Sequence, residues 1–235
     1  MRLLLCGGGS GEQTILANKK LNEIIDHNKP ILYVPLAMDE EEMPYDGCLE
    51  WVKKELSNVD IPSIETVRSF EELASKNYYD YGAIFIGGGN TFKLLKGLKD
   101  SGSFNKIKDY INNNGTIIGG SAGAIIFGKD IEPIHVMDPN DVNLTDSTGF
   151  DVLNGISIFC HYTNEYTPEA HEEFKEFLIN YTTNRELVIA LPEEDTIYVN
   201  DDNVEIIGTR PYYIFENGIE NRKEIDNDNL FTYNK

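Results

Sequence analysis

The chain has 235 residues, 40% of them hydrophobic and 26% charged, the balance of a folded globular protein long enough to bury a core without staples. Its formal net charge of −20 disfavours nucleic acid as a partner, because a polyanion would be repelled. Three scattered cysteines, Cys6, Cys48 and Cys160, lack the spacing of a structural zinc site and fit a reducing, cytoplasmic setting, and no apolar run approaches a membrane span.

In chain order, Leu3 to Cys6 reads as a first buried strand that meets Gly7-Gly8-Gly9 at once, which is too short an apolar run for a signal peptide. Thr14 to His27 follows with Ile15, Leu16, Leu21, Ile24 and Ile25 on one helical stripe. Ile31 to Pro35 is a strand, Cys48 to Leu56 a helix and Ile64 to Val67 a short strand. Ser69 and Glu72 have the spacing of a capping box. Gly82 to Ile86 is a continuous apolar strand ending in Gly87-Gly88-Gly89-Asn90; helices are predicted over Thr91 to Leu98 and Phe104 to Ile111. Thr116 to Gly119 is again a strand, and a helix starts at Ala122 and runs to Phe127. Strand Ile156 to Phe159 and helix Pro168 to Tyr181 come next. Short runs then follow at Leu187 to Leu191, Thr196 to Val199, Val204 to Ile207 and Tyr212 to Phe215, with turns at Asp201-Asp202-Asn203 and Asn217-Gly218.

Repeated strand–helix alternation with apolar strands predicts an α/β fold: a mostly parallel central sheet with helices on both faces and a C-terminal antiparallel extension. No repeat or linker interrupts it, so one domain over residues 1–235 is the simplest reading. Such sheets place chemistry outside the carboxyl ends of their strands, where three glycine-rich turns fall. The first, Gly7-Gly8-Gly9-Ser10-Gly11, is no dinucleotide fingerprint, since Glu12 stands where the last glycine should be.

The third turn, Gly119-Gly120-Ser121-Ala122-Gly123, matches G-x-S-x-G between a strand and a helix. A nucleophilic serine must be held off the sheet end on a tight, strained turn, and small neighbours permit it. The N–H of Ala122, opening the next helix, could then receive a developing oxyanion. The competing reading is a small-residue turn with Ser121 as a helix cap.

A serine also needs a base. His27, His135 and His171 fall on a helix end, a loop and a glutamate-rich helix, and read as surface residues. His161 follows an apolar strand directly and is the candidate base. Cys160, its neighbour, should point to the opposite face and be packed. For the carboxylate that orients the imidazole, Glu193, Glu194 and Asp195 compete with Asp138, Asp141 and Asp146, and spacing does not choose among them.

These segments together resemble the peptidase E family of serine dipeptidases, which includes cyanophycinase-like enzymes and is similar in fold to class I glutamine amidotransferases. The resemblance runs through Gly87-Gly88-Gly89-Asn90-Thr91-Phe92, Gly120-Ser121-Ala122-Gly123-Ala124, Gly149-Phe150-Asp151-Val152-Leu153-Asn154, His161-Tyr162-Thr163-Asn164 and Leu191-Pro192-Glu193. It implies Ser121 as nucleophile, His161 as base, Glu193 as the favoured acid with Asp138 as the rival, and Gly89 with Ala122 as oxyanion donors. Asn90 would hold its turn or touch substrate. The expected activity is hydrolysis of short peptides by a monomer or homodimer, with no metal or cofactor and no membrane partner; the alternative is a silent relative that binds a small ligand or protein. One departure stands out. Pro168 to Glu176 carries no arginine where peptidase E proper bears one, which leaves only Arg185, Lys175 or Arg210 to meet a substrate carboxylate. The chain's many carboxylates could instead hold a substrate's free amino terminus.

Overall fold

The structure, a computed structural model, describes residues 1–162, 167–184, 186–201 and 203–225. Strands β1 (Arg2–Cys6), β2 (Ile31–Val34), β3 (Ile64–Thr66), β4 (Ala83–Ile86) and β5 (Thr116–Gly120) run parallel in the order β3-β2-β4-β5-β1. The same sheet continues antiparallel through β8 (Thr196–Asn200) and β9 (Asn203–Ile207), making seven strands. Side chains alternate cleanly: Leu4 and Cys6 of β1 enter one buried cluster, Leu3 and Leu5 the other. Helices α1 (Ile15–Ile24) and α2 (Tyr45–Glu55) cover the first face through Leu21 and Val52. The opposite face is covered by α4 (Thr91–Asp100), α5 (Ser103–Asn112) and α6 (Ala122–Ile125), between α3 (Phe70–Ser75) and the second sheet. A fully buried Leu or Ile contributes about 1.5–3 kcal/mol, which is why the strands read as apolar runs.

The expected C-terminal antiparallel extension is present, and its strands are divided between two sheets. While β8 and β9 widen the main sheet, β6 (Ile156–Phe159), β7 (Leu187–Ala190), β10 (Tyr212–Glu216) and β11 (Ile219–Lys223) form a second sheet in the order β11-β10-β7-β6. There β6 and β7 are parallel, because the fifteen-residue helix α7 (Pro168–Thr182) carries the chain back between them. Strand β11 was not foreseen: its sequence Ile219-Glu220-Asn221-Arg222-Lys223 has one apolar residue, and the hairpin with β10 is set by Asn217 and Gly218, both at positive φ. Ser69 caps α3 as expected by accepting from Glu72 N, but the Glu72 carboxylate bonds Arg68 N rather than Ser69 N, so the box closes one residue early.

The two sheets meet at their strand ends. Gly7 N donates to Asp195 O, Gly9 N to Glu193 O, His161 N to Gly7 O and Tyr162 N to Leu191 O. The loops after β1, β6 and β7 are thus stitched together beside the ends of β4 and β5.

Candidate active site

Ser121 closes β5 with φ 51° and ψ −115°, a conformation that L residues adopt only under constraint. The constraint is visible in its neighbours. A Cβ on Gly119 would lie 2.2 Å from Gly123 O, and one on Gly123 would lie 2.1 Å from Ile86 O, so neither position admits a side chain. Gly120 is under less pressure, its added Cβ being 3.6 Å from the Phe85 ring. The following helix spans only Ala122–Ile125, shorter than expected, so the individual N–H of Ala122 matters here rather than a helix dipole.

The Ser121 hydroxyl lies 2.8 Å from His161 Nε2. The ring's other nitrogen, Nδ1, lies 3.4 Å from Glu193 Oε1. A carboxylate can only accept, so this pairing favours the proton on Nδ1 and leaves Nε2 free to accept from the serine. His161 itself sits at φ 61°, held by its N–H to Gly7 O. The Glu193 side chain is 11% exposed, and its Oε2 is buried without a hydrogen-bond partner among the described residues. An unpaired buried charge is costly, and an imidazolium at His161 would relieve that cost.

The other carboxylates fall elsewhere. Asp138 Oδ2 accepts from Thr91 N at 2.8 Å, and Pro139 O accepts from the Asn90 side-chain amide at 2.8 Å. Asn90 Oδ1 in turn accepts from Lys93 N, and Asn90 N donates to Ala37 O. The Asp138 loop therefore fastens the turn that carries Gly89, and both ends of the Asn90 amide are engaged by protein. Asp146 pairs with Lys99, which pulls its pKa down to about 2. Glu194 pairs with Arg210 at 3.3 Å. Asp195 is fully buried, accepts from Thr209 N and Arg210 N, and has its pKa raised to about 7 by desolvation.

Cys160 is fully buried under the serine turn, its Sγ 3.8 Å from Ser121 O; burial foremost pushes its pKa well up, so it is packed as expected and is no thiolate nucleophile. His27 and His135 are surface residues, bonded to Asp60 O and paired with Glu132 respectively. The structure departs from the reading of His171 as a solvated residue: its ring packs 4.7 Å from that of Tyr162 and its Nδ1 is buried, because α7 turns that face onto the second sheet.

Gly89 N and Ala122 N make no hydrogen bond with any described residue, and Gly88 packs directly on the serine, an added Cβ there lying 3.2 Å from Ser121 Cβ. The first glycine turn, left without a role by its sequence, has a steric one. A Cβ at Gly7 would fall 2.0 Å from Pro192 O, at Gly8 2.1 Å from His161 Cε1, and at Gly9 2.4 Å from Glu193 O. Bare backbone here lets the histidine and glutamate loops close on the serine. Three glycines at a strand end were the available signal for this; the close approach itself spans more than 150 residues of sequence and leaves no local trace.

A cavity of about 340 Å³ opens on Ser121 and His161, bounded by the glycine turns and by side chains from β2, β4, α2 and the loop before it. Among the described residues no lysine or arginine lines it. Lys175 is engaged with Glu220 at 2.9 Å and Arg210 with Glu194; Arg185 lies outside the described residues. Thr163 and Asn164 of the histidine motif also lie outside them.

A serine hydroxyl on a strained strand–helix turn, with an imidazole in bonding reach, defines an α/β hydrolytic enzyme of the serine type. The profile of Peptidase family S51 matches residues 3–207, and the chain belongs to that family: it is a serine-type peptidase. It is 28% identical to Peptidase E of Nostoc sp. over 97% of this chain and 95% of the relative. It is 31% identical to Peptidase E of Pasteurella multocida over 82% of this chain and 80% of the relative. In fold it is similar to the crystal structure of a Peptidase E protein from Listeria monocytogenes, with TM-score 0.70 and 24% identity over 89% of this chain and 98% of that one. A peptidase from an acI-B1 actinobacterium also has TM-score 0.70, at 17% identity over 99% of this chain and 96% of that one. Among the described residues no helix is long and apolar enough to cross a membrane.

Proposed function

We propose that the chain hydrolyses short peptides as an exopeptidase of the dipeptidase kind through a Ser121–His161–Glu193 triad. Ser121 Oγ attacks the scissile carbonyl carbon while His161 Nε2 takes its proton. Glu193 steadies the imidazolium that forms, and the N–H groups of Gly89 and Ala122 receive the oxyanion. The tetrahedral species collapses with loss of the amine, which takes its proton from His161. Water, deprotonated by the same nitrogen, then attacks the acyl-enzyme and frees the acid and Ser121. Asp138 acts at one remove, by fastening the turn that carries Gly89.

The observation that carries the reading is the continuous line from Ser121 Oγ to His161 Nε2 at 2.8 Å and from Nδ1 to Glu193 at 3.4 Å. The names of the relatives support a peptidase; the absence of a lysine or arginine from the described cavity wall argues against a preference for aspartate. Three unpaired, buried thiols support a reducing, cytoplasmic setting. The test is labelling with a fluorophosphonate probe alongside turnover of a dipeptide panel. Wild type should label on Ser121, and Ser121→Ala should lose labelling and about 10⁴-fold or more of kcat. An unlabelled wild type, or turnover undiminished in Ser121→Ala, overturns the proposal.

A further inference from the structure

The cavity beside Ser121 has a chemistry of its own. Its walls carry Tyr33, Met38, Met43, Trp51, Phe85 and Ile118. The Phe85 ring meets Tyr33 edge-on at 5.5 Å and Trp51 at 6.5 Å, so three aromatic rings form one connected wall. Trp51 is 43% exposed and Met43 47% exposed, two large apolar side chains left facing water at this cavity. Apolar surface gathered at a concave site is where a ligand's own apolar surface is recovered.

The charges around it point the same way. Glu55 is the carboxylate in the wall; it accepts from Gly11 N and the Thr14 hydroxyl and has no cation partner among the described residues. The segment Asp39-Glu40-Glu41-Glu42 leads into Met43. Arg68 pairs with Glu40, while Asp39, Glu41 and Glu42 have no ion pair among the described residues. Burial first, then the charges of Glu40 and Asp39, push the Tyr45 phenol up. A carboxylate entering here would lose water, meet fixed negative charge and find no cation lining the cavity, the Lys93 ammonium being held by Met38 O at 2.6 Å.

We infer that this pocket selects a large uncharged side chain, aromatic or branched aliphatic, next to the scissile bond, and excludes acidic ones. The inference rests on Ser121 being the nucleophile. Trp51, at the open edge of the aromatic wall, is its specificity residue.

The test is kcat/KM for two dipeptide series, X-Ala and Ala-X, with X as Phe, Leu, Ala, Lys or Asp, using the full chain. At one of the two positions Phe and Leu should exceed Asp by about 100-fold or more. At that position Trp51→Ala should lower the Phe peptide about tenfold while the Ala peptide stays within about threefold, and Trp51→Phe should restore most of the loss. Asp or Lys equal to or better than Phe at both positions overturns the inference, as does an equal loss for the Phe and Ala peptides in Trp51→Ala. Fluorophosphonate labelling of the same sample separates the two failures: a labelled Ser121 with an acidic preference sinks the pocket reading alone. Should neither labelling nor turnover occur, calorimetry of Ser121→Ala with Phe-Ala, Asp-Ala, Ala-Phe and Ala-Asp decides the pocket. Tighter binding of the Phe peptide at one position sustains it, and no preference or the reverse at both positions overturns it.

Discussion

Gly8→Ala should disable the site without replacing Ser121, His161 or Glu193. A Cβ at Gly8 would lie 2.1 Å from His161 Cε1, 2.6 Å from Nε2 and 2.7 Å from Nδ1. Carbon atoms settle at about 3.5 Å or more, so the ring must retreat by about 1.4 Å or swing out of plane. It has little room, because its backbone is bonded to Gly7 O and its two nitrogens face Ser121 and Glu193. A misplacement of about 1 Å costs about 100-fold in rate, so kcat/KM should fall at least that far, with a parallel fall in the rate of Ser121 labelling. The backbone adds a separate effect: Gly8 has φ +113°, where alanine is strained by about 1–3 kcal/mol. Gly155→Ala isolates that part, since Gly155 has φ +96° and nothing within 4 Å of an added Cβ. It should lower Tm by about 3 °C per kcal/mol of strain and leave kcat/KM within a few fold. Wild-type turnover in a folded Gly8→Ala protein, checked by circular dichroism and melting, would refute the steric reasoning.

Further outcomes follow from the carboxylates and thiols. Glu193→Gln should reduce kcat by about 10²–10⁴-fold with little change in KM, whereas Asp138→Asn, which keeps an acceptor for Thr91 N, should stay within a few fold; the reverse order would make Asp138 the acid. Asp195 has a folded pKa of about 7 against 3.8 unfolded, so between those values the folded state holds a proton the unfolded state has lost, and stability declines as pH rises to about 7. Asp195→Asn should therefore raise Tm, by more at pH 8 than at pH 5, through relief on the order of 4 kcal/mol at the higher pH; scanning fluorimetry with a larger gain at pH 5 would contradict this. Iodoacetamide should leave turnover intact, because burial drives the Cys6 thiol up to about 11 and pushes the Cys48 and Cys160 thiols up; Cys6 and Cys48 line the cavity, so it is loss of activity with Cys160 alone modified that would count against a serine mechanism.

What could be read along the chain was whatever depends on near neighbours. The apolar strands, the amphipathic helices and the Gly119–Gly123 turn are local patterns of period two, of period 3.6 and of small-residue sterics, and they survive folding almost unchanged. His161 was legible because an apolar strand ended at it. Tertiary structure alone decided the rest, because it joins residues far apart in sequence. Glu193, Glu194 and Asp195 are consecutive, yet one faces the imidazole, one an arginine and one a closed backbone loop, according to how the strand after Ala190 leaves its sheet. The division of the last strands between two sheets depended on the crossover helix, and the polar β11 forms only because β10 offers its edge. Trp51, Tyr33 and Phe85 carry no motif; they become one wall because α2 packs across β2 and β4. Local chemistry is written in spacing, whereas a pocket is a meeting of surfaces, and spacing does not encode which surfaces meet.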